Sequence, residues 1–259
     1  MASYAVIGST GTVGGSVIDV LLQSPERNVH AYARSTKKLF TLHPEWEKSP
    51  NVRAFQGNLD DTEVLADCIS DTRSVFMCAG ATSNDPKCDV ARQQAKSVVK
   101  AIDELRKRDS QARLAQLIIL SSAATEAYLM SDLPAVFYWL LDTAGSYIYS
   151  DLKLAEQFLR KRDDIKQVYI KPGGLVQDVA HGHELNTERQ ETFLSFIDLA
   201  GGMVDVAEAD DDRWDLKNVS VVPTSKGTKV EWGVPYYMLK GLLCHACPWL
   251  YPTIATWLP

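Results

Sequence analysis

Short apolar runs alternate with amphipathic stretches along the first two thirds of the chain. Residues 3–7, 29–33, 52–55, 74–78, 117–120 and 167–170 are brief and rich in Val, Ile, Leu and Ala. Their length and composition predict buried strands. The stretches between them predict helices over about 11–23, from near Asp61, over about 89–108 and over about 149–160. In the longest of these, Val90, Ala95, Val98, Val99, Ile102 and Leu105 recur at helical spacing, with charges on the opposite face. Strands that alternate with helices predict a parallel sheet covered on both faces. Right-handed crossovers make that sheet doubly wound, with its ligand at the carboxyl ends of the strands.

Beyond residue 175 the alternation weakens. A polar loop is expected from Gln177 to Glu191, then a helix over about 193–209, a solvated acidic turn over 208–212 and a strand from Val219 to Val222. The stretch 234–259 carries Lys240 as its sole formal charge, together with Trp249 and Trp257. Pro248 and Pro252 interrupt it, which argues against a membrane-spanning helix. A tail packed on the domain or over a substrate cleft is expected, ahead of a membrane-surface or dimer contact. The organisation expected is one α/β domain over 1–259, with 176–259 supplying substrate-side and lid elements.

Composition narrows the partners. With 46% hydrophobic residues the chain can fill a sizeable core. A net charge of -6 and the lack of a basic tract argue against nucleic acid. Cysteines at 68, 78, 88, 244 and 247 follow no disulfide framework, as expected in a reducing cytoplasm. The first strand begins near residue 3, so no signal or transit peptide is expected ahead of it. Cys244-His245-Ala246-Cys247 is a single CxxC without a matching second ligand pair, and no metal is expected. His181 and His183 are expected in a solvated loop.

The first strand runs into Gly8-Ser9-Thr10-Gly11-Thr12-Val13-Gly14, which opens a helix. That arrangement aims backbone N–H groups and a helix N-terminus at one point and suits a pyrophosphate. Gly8, Thr10, Gly11, Thr12, Val13 and Gly14 form the expected cradle. The second strand ends Ala33-Arg34-Ser35-Thr36-Lys37-Lys38, where NAD enzymes usually place a carboxylate. Arg34 can fork onto a 2′-phosphate with Lys37 or Lys38 nearby, so NADP(H) is the expected cofactor. Tyr149 and Lys153 are four apart on one helix face. The cation is expected to lower the tyrosine pKa and let Tyr149 exchange a proton with a carbonyl oxygen.

Together these residues resemble an atypical short-chain dehydrogenase/reductase of the NmrA-like kind, over about residues 3–225. The likeness rests on the three glycines, Arg34, Gly57-Asn58-Leu59-Asp60, Tyr149-x-x-x-Lys153 and Lys171-Pro172-Gly173-Gly174, all in family order. It implies a Rossmann fold, with Asn58 and Leu59 beside the adenine and Cys78, Ala79 and Gly80 beside its ribose. It further implies Ser121 near the cofactor, Lys153 on the cofactor ribose, and Pro172 and Gly173 bordering the nicotinamide. The family's substrate hydroxyl falls in Ser121-Ser122-Ala123-Ala124-Thr125. Its usual position aligns with Ala123, so Ser122 is assigned and Thr125 is the alternative. The Ser-Ala-rich segment also resembles averufin oxidase-like proteins of fungal polyketide pathways. Aromatic residues from Tyr128 to Tyr147 suit a pocket for a flat aromatic or polycyclic substrate. The function expected is NADP(H)-dependent oxidoreduction of such a molecule, by a monomer or homodimer. The alternatives are cyclisation or isomerisation without net redox, and a non-catalytic NADP sensor with a protein partner.

Overall fold

The computed structural model describes residues 1–257. Its elements follow the order β1 Ala2–Ile7, α1 Thr12–Leu21, β2 Arg27–Ala33, α2 Thr36–Leu42, α3 Pro44–Glu47, β3 Val52–Gln56, α4 Thr62–Ile69, β4 Ser74–Met77, α5 Val90–Arg108 and β5 Gln116–Leu120. Then come α6 Ala135–Ala144, α7 Ser146–Leu159, β6 Gln167–Ile170, β7 Leu175–Val176, β8 His183–Asn186, β9 Leu194–Ser195, α8 Phe196–Glu208, β10 Asn218–Pro223, α9 Val234–Ala246 and α10 Tyr251–Trp257. Eight strands form one sheet in the order β3-β2-β1-β4-β5-β6-β10-β8, parallel except for the edge strand β8. The order of winding reverses between the parallel neighbours β1 and β4, so the crevice for a ligand opens at their carboxyl ends.

Period-two alternation sends successive strand residues to two cores. Tyr4 and Val6 of β1 join Val17 and Ile18 of α1 and Leu199 and Met203 of α8 on one face. Ala5 and Ile7 join Leu65 of α4, Val98 and Ile102 of α5 and Leu159 of α7 on the other. Burying an aliphatic side chain of this size stabilises by about 1.5–3 kcal/mol, so the two cores hold the strand ends rigidly.

Several expectations change in the last third. The expected loop 177–191 contains β8, whose polar sequence hides a strand made by pairing with β10 from Ser220↔Asn186 to Pro223↔His183. The helix expected from about 193 starts at Phe196. Leu194–Ser195 instead pairs with β7, and the Ser195 hydroxyl caps α8 by accepting the Asp198 N–H at 3.0 Å. The aromatic segment before Tyr149 holds α6, in which Val136, Phe137 and Trp139 are exposed. The apolar tail is helical, and α9 packs so closely on α6 that a side chain at Gly241 would collide with the Ala144 carbonyl. Tyr251 and Ser83 hydroxyls meet at 2.8 Å and tie α10 to the loop after β4. No helix among the described residues is long and apolar enough to cross a membrane.

Candidate active site

The glycine turn sits at the β1–β4 crevice. Gly8 has φ +89, and a Cβ there would lie 2.7 Å from the Ala79 amide nitrogen. Gly14 packs on the Gly8 carbonyl with no room for a side chain. The Gly11 N–H donates to Gly8 O at 2.9 Å, and Gly11 stands at the N-cap of α1. Gly11 and Thr12 are exposed and Thr10 and Val13 half-buried, so the first turn of α1 presents its N–H groups to solvent. A glycine cradle that any Cβ would fill, on a helix N-terminus, fits a pyrophosphate.

Most of the residues expected to flank the nucleotide are exposed beyond the carboxyl ends of β2, β3 and β4. Arg34 is exposed, and among the described residues its guanidinium has no hydrogen bond or ion pair. Lys38 is exposed on α2, where its own N–H donates to the Ser35 cap at 3.2 Å. Asn58 is exposed, with its backbone pinned by Tyr32 Oη donating to its carbonyl at 2.7 Å and by Asp61 accepting its N–H at 2.6 Å. Leu59 is half-buried against the core. Cys78 differs from the expectation. Its thiol lies in the core, where burial raises its pKa to about 12, and only its backbone reaches the cradle beside Gly8. Ala79 and Gly80 lie on the open side of that turn.

Tyr149 stands in the first turn of α7. Gly145, the N-cap of α7, lies one turn earlier, and the Tyr149 ring fills the space a side chain there would need. The Ser122 hydroxyl lines the same cavity wall and is near enough to the phenol to favour its ionisation. Burial outweighs that effect, and the nearby Asp142 and Tyr138 add to it, so the Tyr149 pKa is pushed up to about 12. The lowering by Lys153 anticipated above is not found. Lys153 Nζ lies 3.7 Å from Asp142 Oδ1, both side chains are partly solvated, and Lys153 is directed to α6 rather than to the phenol. Helical spacing placed the two on one face, but the carboxylate of the neighbouring helix decides where the cation goes.

Ser121 also departs from its expected cofactor role. It is buried and donates to Glu156 beneath the site. Thr125 has its hydroxyl engaged, donating to Ser122 O and receiving Lys171 Nζ, each at 2.7 Å. That leaves Ser122 as the open hydroxyl of the turn. The Pro172 carbonyl accepts the Ala123 N–H at 2.9 Å, which joins the turns after β5 and β6. A cavity of about 300 Å³ opens there, lined by Ser122, Tyr149, Pro172 and Gly173, with Phe137 and Met238 among its apolar walls. A second cavity of about 420 Å³ lies on the other side of Tyr149, between Asn84, Gly145 and α9.

Sequence reasoning missed three supports of this site. Asn84 is buried, accepts the Tyr147 N–H at 2.8 Å and donates to Gly241 O at 3.3 Å, joining α7 to α9. Asp151 is buried and accepts the Ala91 N–H at 2.8 Å and Arg92 Nε at 2.6 Å, which anchors α7 on the start of α5. Gly145 was the one with a local signal, a glycine one helical turn before a tyrosine. The two loop histidines are paired rather than solvated, His181 with Asp178 at 3.0 Å and His183 with Asp205 at 2.8 Å.

Comparison with known proteins agrees with this geometry. A family described as NAD(P)H-binding matches residues 8–210. The chain is 44% identical over 256 residues to oxidoreductase stcQ of Emericella nidulans, covering 97% of this chain and 93% of that protein. It is 41% identical over 252 residues to oxidoreductase aflX of Aspergillus parasiticus, covering 97% and 94%. Among solved structures, a short-chain dehydrogenase/reductase from Veillonella parvula in complex with NADP superposes with a TM-score of 0.60 at 17% identity, over 88% of this chain and 99% of that one. Likeness at that identity speaks for the fold alone.

Proposed function

The chain belongs to the NAD(P)H-binding oxidoreductase family, and from that premise we propose that it uses NADP(H) to reduce a carbonyl of an aromatic or polycyclic metabolite. The observation that carries this reading is that Ser122 and Tyr149 share the wall of a largely apolar cavity that also touches Pro172 and Gly173. Two polar hydroxyls at one end of an apolar space would orient a flat ring system by a single oxygen. The finer likeness to averufin oxidase-like proteins of fungal polyketide pathways supports a polycyclic substrate and is part of the proposal.

When bound, the nicotinamide supplies or takes up the hydride. Gly8 and Gly11–Gly14 would hold the pyrophosphate, Arg34 the 2′-phosphate with Lys38 nearby, and Asn58 and the Cys78–Gly80 backbone the adenosine. Pro172 and Gly173 would border the nicotinamide. In the reductive direction Tyr149 gives its phenolic proton to the developing alkoxide, and Ser122 hydrogen-bonds the same oxygen. Burial keeps the phenol protonated at neutral pH, the form that donation requires, and also makes it a weaker acid than an exposed tyrosine. Lys153 would reach the ribose only by leaving Asp142. Residues of 176–259, among them Phe193, Val234 and Met238, supply the substrate-side wall.

The test is calorimetry of NADPH and NADH on the wild type and on Arg34→Ala, followed by NADPH oxidation with polycyclic quinones and ketones by the wild type and by Tyr149→Phe. NADPH binding with turnover that Tyr149→Phe abolishes supports the proposal. Conversion of substrate without NADPH consumption would favour a cyclase or isomerase. Equal partner binding and no turnover in either protein would favour a sensor.

A further inference from the structure

Lys171 directly follows β6 and is fully buried, an unusual place for an ammonium group. Its Nζ lies 2.7 and 2.8 Å from the two oxygens of Glu156, 2.7 Å from Thr125 Oγ1 and 3.2 Å from Glu126 Oε1. These partners come from two separate pieces of the site. Glu156 follows Tyr149 by seven residues, two turns along the same face of α7. Thr125 closes the short 3₁₀ turn Ala123–Thr125, and its hydroxyl holds the carbonyl of Ser122. Lys171 itself precedes Pro172, whose carbonyl holds the other end of that turn through Ala123. Ser121 adds a hydrogen bond to Glu156 from the end of β5.

We infer that Lys171 and Glu156 are positioning residues whose buried ion pair locks the Ser122 turn, the Tyr149 helix and the Pro172–Gly173 turn into one rigid seat. The inference rests on the reading of Tyr149 and Ser122 as the proton-handling pair. A buried ion pair is a poor source of stability, because desolvation offsets its attraction, and apolar replacements of both partners are often tolerated. What such a pair can supply is a single geometry. This one fixes the lateral placement of Ser122 against Tyr149, since the ammonium ties the backbone carrying the hydroxyl to the helix carrying the phenol. Neither residue lines the cavity, so their effect reaches the substrate through Tyr149, Ser122 and the Pro172–Gly173 turn, which do.

The experiment uses full-length protein labelled with ¹³Cζ-tyrosine, with Tyr149→Phe to assign the Tyr149 signal. Two variants are compared with wild type. K171M/E156Q removes both charges together, and Thr125→Val cuts the link to the Ser122 turn while leaving the ion pair. Each is measured for thermal unfolding, NADPH affinity, the Tyr149 resonance and turnover of phenanthrenequinone. The expected result is folded protein with unchanged NADPH affinity, a shifted or broadened Tyr149 signal, and kcat lowered by about a hundredfold, the scale of a misplacement near 1 Å. A Tyr149 signal left in its wild-type position in Thr125→Val overturns the inference, whether K171M/E156Q folds or not, because the pair would then hold the fold and not the site. Wild-type kcat in Tyr149→Phe would instead defeat the reading of Tyr149 as proton donor. The resonance would still report whether the pair positions it.

Discussion

The ring of Tyr149 occupies the space that a side chain at Gly145 would need: a Cβ on Gly145 would sit 2.6 Å from Tyr149 Cζ. The helix begins at that glycine, so the phenol is seated by the first turn of its own helix. Gly145→Ala should push the ring off Ser122. We expect kcat to fall by about a hundredfold while NADPH affinity, measured by calorimetry, stays at the wild-type value. Unchanged turnover would show that the ring finds its place without the glycine.

Arg34, the residue we propose for the 2′-phosphate, is exposed and engaged by nothing else among the described residues. A charge-assisted hydrogen-bonding group of this kind contributes about 1.5–3 kcal/mol. Arg34→Ala should therefore weaken NADPH binding by about ten- to a hundredfold and leave NADH binding unchanged. Equal losses for both nucleotides would point to an adenine contact instead.

Burial holds the Tyr149 pKa near 12, above the ordinary value of 10.0. The neutral phenol is then the favoured form in the folded protein. Its contribution to stability is complete below pH 10 and is lost as pH rises from 10 towards 12, because the unfolded chain releases the proton first. Titration of the cofactor-free protein should therefore show no ionisation of Tyr149 through neutral pH. The wild type minus Tyr149→Phe ultraviolet difference spectrum reads this directly. Ionisation at or below pH 10 would mean that the cation on Lys153 reaches the phenol after all.

Asn84 joins the loop after β4 to both α7 and α9 from a buried position. Asn84→Leu leaves the Tyr147 N–H without its partner. A loss of about 1–3 kcal/mol is expected in urea unfolding, with faster amide exchange concentrated in α9. Protection of α9 equal to wild type would show that its packing against Ala144 suffices to hold it.

The nucleotide half of the protein was legible from local signals. A buried strand, a glycine turn and a helix N-terminus lie within fourteen residues, and each requirement is met by residues close in sequence. The strands from β1 to β6 stand where hydrophobic runs place them, because burial on both faces leaves little choice of residue. β8 escaped notice because its strand character comes from its partner β10 and not from its own polar sequence.

The order of the site around Tyr149 was decided by the tertiary structure. Sequence spacing puts Lys153 on the face of Tyr149, yet Asp142 on α6 draws the cation aside. A serine next to the assigned hydroxyl reads as a cofactor contact, yet Ser121 turns under the site to Glu156, thirty-five residues later. Side-chain direction on a helix face or at a strand end is settled by whichever charge or hydrogen-bonding group the fold brings alongside, and those partners are distant in sequence. The chain by itself therefore determined the fold and the glycine turn at the start of α1, which depend on periodicity and backbone conformation, and it supplied Tyr149 as the proton donor we propose. Packing of α6, α7 and α9 decided the phenol's protonation, the placement of Lys153 and the buried support beneath Ser122, which depend on charges meeting across elements.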